Sequence, residues 1–289
     1  MEMTHTKVRP LRTEEIDLVQ PLAQRSFEDL SRRTGRPPEP RDEATASYYR
    51  AQHHHLHRTG KALGAFSPDG TMIGSALSWV REHTWGLALL VIEPGDQSAG
   101  AGSALLREAL ATAAPDSVRT FLSSGDARAL RAYSRAGFRL LPTLRASGQV
   151  DASLIADRTG VREGDSAGDA ERAGVGHLVE DIEFVRRHGG RFLVADGGCA
   201  LVSGPARHPT VRVLTAADEV TAQRLLRAAL AAAAELEVEV SATSLAPQEH
   251  WAVQVCVEAR LPLSVGGPVA VAGVSDPLGG VCPPAAVLI

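Results

Sequence analysis

A chain of 289 residues exceeds one ordinary compact core and fits two domains of typical size. Its 44% hydrophobic and 22% charged content is that of a globular protein, and a net charge of -4 excludes a broad basic face for nucleic acid or anionic lipid. Cys199, Cys256 and Cys282 are odd in number and widely spaced, which excludes a zinc spacing and a disulfide framework, and no apolar run reaches membrane-spanning length.

Val8 to Leu11 reads as a short strand, and Thr13 as the cap of a helix with Glu14 and Glu15 in its first turn. Ile16, Val19, Leu22 and Phe27 recur at helical spacing. Arg32 to Arg41 is Pro-rich loop, and a second helix spans roughly Glu43 to Arg58. Lys61 to Phe66, Met72 to Arg81 and Trp85 to Ile92 are strands, the first two joined by Ser67-Pro68-Asp69-Gly70, a hairpin turn. Ser103 to Ala113 is a patterned helix, Val118 to Ser123 a strand, Asp126 to Ala136 a helix and Phe138 to Leu141 a strand. Gly160 to Gly176 reads as a polar linker. A helix (Gly176 to Arg187), strands at Arg191 to Ala195, Cys199 to Ser203 and Thr210 to Leu214, and a helix (Ala217 to Ala234) follow. A strand at Val238 to Ala242, a helix at Pro247 to Ala259 and final strands repeat the back two-thirds of the first half.

The informative stretch is Val91-Ile92-Glu93-Pro94-Gly95-Asp96-Gln97-Ser98-Ala99-Gly100-Ala101-Gly102-Ser103. A strand ends at a proline, which cannot donate to a sheet ladder, and a Gly-bearing loop leads straight into a helix. Bare backbone N–H groups at a helix start form an anion site suited to a pyrophosphate. No lysine supports a Walker loop, and QxxGxG after a fourth strand is not the GxGxxG of a dinucleotide fold.

On these residues the chain resembles the GNAT (Gcn5-related N-acetyltransferase) family. Ile92, Pro94, Gln97, Gly100 and Gly102 match V-x-P-x-x-Q/R-x-x-G-x-G. Asp126, Ala129, Tyr133, Gly137 and Phe138 match N-x-x-A-x-x-x-Y-x-x-x-G-F, with aspartate where asparagine is usual. The resemblance implies an α/β fold, a mixed and mostly antiparallel sheet flanked by helices. It implies acetyl-CoA as co-substrate and an amine acceptor, either a small molecule or a peptide. Backbone groups of Val91 and Ile92 would hold the acetyl carbonyl and pantetheine where the fourth and fifth strands splay. Amides from Gln97 through Ser98, Ala99, Gly100, Ala101 and Gly102 to Ser103 would hold the pyrophosphate, and Asp126 would line the pantetheine channel. Tyr133 is the expected acid for the departing thiolate, since a phenol of pKa near 10 is a neutral donor at pH 7.

The base is unassigned: strand four carries no carboxylate, and Glu82, His83 and Glu93 read first as exposed turn or strand-end residues. His53 and His57 share a helix face, but no carboxylate completes a metal motif, so no metal is expected. Trp79 and Trp85 read as hairpin packing rather than a substrate stack.

The helix from Ser103 to Leu110 aligns with that from Gln223 to Leu230. This places Val220 and Ala222 opposite Gly100 and Gly102, and alignment of Phe138 with Leu261 places Cys256 opposite Tyr133. Domains of 1-155 (acetyltransferase) and 156-289 (degenerate GNAT-like copy) are expected, in a cytoplasmic protein written in the Ala- and Arg-rich style of a high-GC bacterial genome. The second copy would serve structure, wall the acceptor site or support a homodimer. The rival reading is a non-catalytic acyl-CoA-sensing module.

Overall fold

The computed structural model describes residues 6–35, 42–97, 100–155, 157–165, 167–235, 238–246 and 249–273. They divide into two compact units, one formed by residues up to Arg139 together with Ala270–Gly273, the other beginning at Leu140.

The first unit opens with β1 (Lys7–Pro10) and a 3-10 turn (Thr13–Leu18) that runs into α1 (Val19–Thr34). The cap is Arg12 rather than Thr13. Arg12 is the extended residue before the first turn, and the Glu15 carboxylate accepts its backbone N–H at 2.9 Å while pairing with Arg9 at 2.7 Å. Next comes α2 (Glu43–Thr59), whose first turn is capped by Asp42 accepting from the Thr45 N–H. The antiparallel meander β2 (Lys61–Phe66), β3 (Met72–Arg81) and β4 (Thr84–Ile92) follows, turning at the expected Pro-Asp-Gly. Then come α3 (Ala101–Leu110), β5 (Val118–Leu122), α4 (Ala127–Arg135) and β6 (Arg139–Leu141). Val19, Leu22, Leu77, Leu105 and Leu106 are buried, the inward faces of amphipathic elements. Trp85 is fully buried and donates its indole N–H to the Ala109 carbonyl at 3.2 Å; truncation to Ala would cost about 3–5 kcal/mol.

The second unit contains β7 (Leu144–Gly148), β8 (Arg162–Glu163), α5 (Ala167–Arg172), α6 (Val179–Arg187), β9 (Arg191–Ala195), β10 (Gly198–Ser203) and β11 (Thr210–Ala216). α7 (Glu219–Ala234), β12 (Val240–Leu245), α8 (His250–Glu258), β13 (Leu263–Val265) and β14 (Val269–Ala272) complete the described chain. Ala-rich α7 buries most of its circumference, with Leu225, Ala229 and Leu230 fully enclosed. The stretch read as a linker holds β8 and α5, because Asp169 is buried and bonded to both Arg162 and Arg172.

Each unit has a seven-stranded mixed sheet. The first is ordered β1-β2-β3-β4-β5-β14-β6 and the second β13-β7-β12-β11-β10-β9-β8. In each, one parallel contact follows a meander: β4 with β5, and β11 with β12. The strand beyond that contact is β14 in the first sheet, drawn from the far end of the described chain, and β7 in the second, the first strand of that unit. The expected boundary at 155/156 therefore lies inside the second unit. The chain changes unit at Arg139/Leu140 because β7 pairs with β12 and β13.

Candidate functional site

In the first sheet β4 and β5 pair over three rungs, Thr84 with Val118, Trp85 with Arg119 and Gly86 with Thr120. The register of β3 with β4 shifts between Leu77–Leu89 and Ser78–Leu87, so Ala88 is an extra residue, a bulge that bends β4 as it leaves β5. The remainder of β4, up to Ile92, has no rung to β5. Backbone direction along this free stretch follows from one bond: the Glu93 N–H donates to the Ile73 carbonyl at 2.8 Å. Alternation then turns the polar groups of Leu89 and Val91 toward β3 and those of Leu90 and Ile92 toward the gap. The Ile92 carbonyl accordingly accepts from Gln97 Nε2 at 3.2 Å. Of the two residues expected at the gap, Ile92 faces it and Val91 does not. Leu90 joins Ile92, as counting by two from the expected contact would have shown.

The strand ends in a short 3-10 turn, Pro94–Asp96, and Gln97 follows. Ser98 and Ala99 lie outside the described residues. Gly100 stands at φ 93°, a left-handed conformation in which a side chain is strained, and is the N-cap of α3 with no side-chain bond to the helix. The N–H groups of Ala101, Gly102 and Ser103 begin the helix and have no intrahelical acceptor. A methyl group at Gly102 would meet Ile92 only at 3.5 Å, ordinary contact. The protein's own packing does not demand glycine there, and the missing side chain leaves the first turn of α3 open beside the Ile92 end of the gap.

Across the gap, Asp126 caps α4, its Oδ1 accepting from the Arg128 N–H at 3.0 Å and its Oδ2 from Arg33 Nη2 at 3.0 Å. Burial pushes its carboxyl upward, but the bonds from Arg128 and Arg33 and their charges outweigh this and hold it below the usual range. The aspartate that departs from the family pattern is thus an ion-paired helix cap. Arg25 pairs with Glu93 at 2.8 Å, so Glu93 is committed to α1.

The motif ending α4 has a backbone explanation. The Phe138 N–H bonds the Tyr133 carbonyl and the Gly137 N–H the Ser134 carbonyl, both at 3.1 Å, with Gly137 at φ 89°. This is a Schellman stop, and the spacing Tyr-x-x-x-Gly-Phe is that of its residues. Tyr133 is 6% exposed and packs edge-on against Phe121, with ring centroids 4.6 Å apart. Phe121 is the first β5 residue past the last rung to β4, so the phenol lies along the open half of that strand. Burial first, and the Asp126 charge second, push the Tyr133 hydroxyl above its ordinary pKa, so it keeps its proton throughout the neutral range.

The remaining candidates lie elsewhere in the packing. His57 Nε2 meets the Leu11 carbonyl at 3.2 Å and His54 pairs with Asp17 at 2.9 Å. His53 is 4% exposed, and burial lowers it to about 4. Among the described residues no three His, Cys, Asp or Glu side chains gather as metal ligands. Trp79 and Trp85 are both buried, and the Trp79 ring lies on Gly86. Glu82 and His83 are exposed turn residues.

The second unit repeats the frame without these features. Its parallel strands pair at Thr210–Ser241 and Val211–Ala242, beside a bulge at Arg212. α7 starts two residues earlier than α3 in the aligned register, and its Asp218 cap accepts from the Thr221 N–H at 2.8 Å. α8 ends in the same Schellman stop, Leu261 N–H to Cys256 carbonyl and Arg260 N–H to Val257 carbonyl, each at 2.9 Å. Cys256 thus stands where Tyr133 stands, buried and with its thiol pushed up to about 12. Cys282 lies outside the described residues.

Residues 24–138 match the family model of the acetyltransferase (GNAT) family. The first half of the chain is a GNAT domain, and the whole chain has the tandem GNAT fold. It is similar to a putative acetyltransferase of Pyrococcus horikoshii, with 15% identity, a TM-score of 0.71 and coverage of 95% of this chain and 92% of that one. A tandem GNAT protein from the clavulanic acid biosynthesis pathway aligns with 14% identity and a TM-score of 0.59, over 94% of this chain and 100% of that one. A GCN5-related N-acetyltransferase of Sphaerobacter thermophilus aligns with 13% identity and a TM-score of 0.60, over 92% of this chain and 95% of that one. No curated protein matches the chain. Among the described residues no helix is long and apolar enough to cross a membrane.

Proposed function

We propose that the chain transfers an acetyl group from acetyl-CoA to the amine of a small molecule or peptide, at the first unit alone. The observation that carries this reading is the uncapped helix start at Gly100–Ser103, set beside a strand whose last residues have lost their neighbour. The fit to coenzyme A rests on chemistry. Three amides without acceptors suit a diphosphate, and the gap-facing groups of Leu90 and Ile92 suit the amides of pantetheine, which would add as an extra strand.

Acetyl-CoA supplies an activated thioester. Gap-facing N–H groups of β4 would polarise its carbonyl while the amine attacks; the C–S bond then breaks, and Tyr133 gives its proton to the sulfur. The nitrogen's surplus proton leaves to solvent, since β4 holds no carboxylate and Glu93 is bound to Arg25. The Arg33 pairing neutralises Asp126, so this carboxylate would not repel the anionic co-substrate.

Calorimetry with acetyl-CoA, followed by free-thiol release over a panel of amines, tests the reading. Binding with turnover is expected. Binding without turnover on any acceptor would favour an acyl-CoA sensor, and no binding would end both.

A further inference from the structure

The closed end of the gap in the first sheet has a structure of its own. Gly86 and Thr120 form the last rung before β4 and β5 part. Trp85, one residue before Gly86, donates to the Ala109 carbonyl of α3, so its side chain lies on the α3 face of the sheet. Arg119 pairs with Trp85, and Phe121 lies two residues on, so Phe121 shares that face and packs against Trp85, Tyr133 and Phe138. The Cβ direction of Gly86 and the side chain of Thr120 therefore point to the opposite face.

On that opposite face Trp79, the partner of Gly86 on β3, lays its ring across the glycine. A Cβ at Gly86 would stand 2.1 Å from Cζ2 and 2.2 Å from Cε2, the ring carbon that carries Nε1, so the close approach requires glycine. The indole thus reaches from β3 over β4 toward Thr120, the next residue in the row. Trp79 is 3% exposed and Thr120 0%. Trp79 Nε1 and Thr120 Oγ1 are both buried, and neither has a hydrogen-bond partner among the described residues.

We propose that Trp79, laid on Gly86 beside Thr120, sets the length of the acyl group that the first unit accepts, admitting acetyl and rejecting longer alkyl chains. The inference rests on the acetyl-transfer reading. With pantetheine along Leu90 and Ile92, the thioester falls beside the bulge at Ala88, and the acyl group points on toward the Gly86–Thr120 rung. That rung is about 7 Å further along the strand, room for an acetyl group and little more. A longer chain must turn out of the sheet. On the α3 face it meets the packed rings of Trp85, Phe121 and Phe138, and on the other face the Trp79 indole. An alkyl chain that displaced the indole would still leave the Trp79 N–H and the Thr120 hydroxyl without a partner.

The test is calorimetry of the full chain with acetyl-, butyryl- and octanoyl-CoA, which needs no acceptor. Acetyl-CoA should bind about tenfold or more tightly than either longer donor. Trp79→Ala opens the far face, and its affinity for butyryl-CoA should come within about threefold of that for acetyl-CoA. The readout is the ratio of two affinities in one protein, which a general loosening of the fold does not move toward the longer chain. Should that variant fail to fold, Thr120→Val keeps the side chain's shape, removes its hydroxyl and should raise butyryl-CoA affinity severalfold relative to acetyl-CoA. Equal affinity of the native chain for all three donors overturns the proposal while the acetyl-transfer reading stands. So does an unchanged ratio in Trp79→Ala, or in Thr120→Val where it stands in. Failure to bind any of the three overturns both.

Discussion

Two helix starts separate the units more clearly than their folds do. α3 begins at Gly100, a cap residue with no side chain to bond its first amides, whereas the aspartate before α7 folds its own carboxylate onto Thr221. One helix has no capping side chain at its positive end; the other satisfies that end internally. The second helix pair shows the reverse economy. α4 and α8 have equal length and end in the same bonded stop, yet one carries a phenol and the other a thiol at the same position. Backbone devices are shared by both copies, and the side chains set on them differ.

That contrast can be broken most forcefully at Tyr133. Tyr133→Phe should lower kcat by about a hundred- to ten-thousandfold with little change in acetyl-CoA affinity, while Cys256→Ala should leave turnover untouched; thiol-release kinetics on both variants decide it. Next is the cradle. Gly102→Val should weaken coenzyme A binding by about a hundredfold in calorimetry, and Ala222→Gly should not create a second site.

The two caps at the starts of α4 and α8 differ in charge state. Asp126 is ion-paired, while Glu249 is 7% exposed and burial raises it to about 7 from an ordinary 4.5. A carboxyl raised in the folded state contributes stability that is full below pH 4.5 and lost as pH rises through about 7. Urea unfolding at pH 5 and pH 8.5 should show the native chain losing about 2 kcal/mol more than Glu249→Gln over that interval. The smallest effect belongs to the stops. Arg260 holds a positive φ of 58° where the first unit has Gly137, so Arg260→Gly should stabilise by about 1 kcal/mol, read as a rise in Tm.

Much of this was legible because it is written locally. The proline ending β4, the glycines opening α3 and the spacing from Tyr133 to Phe138 are short-range signals, and the alignment of Cys256 with Tyr133 agrees with the bonds that close both helices. What the residues could not disclose depends on distant partners. Arg33 and Asp126 lie 93 positions apart in the chain, and no local pattern marks them as a pair. β7 leaves no strand signal because Leu144-Arg-Ala-Ser-Gly has weak alternation, and its sheet is chosen by β12 and β13. α5 hid in a polar stretch that only the buried Asp169 organises.

The displaced strand β14 bears on why the second copy persists. In the first sheet the strand between β5 and β6 is encoded some 130 residues downstream of β6, past every strand of the second sheet. Cutting such a gene in two after β6 would leave the first product missing an inner plank. A lineage that lost chemistry from one half could therefore not discard that half. The second half is inherited as a condition for the first to close its sheet.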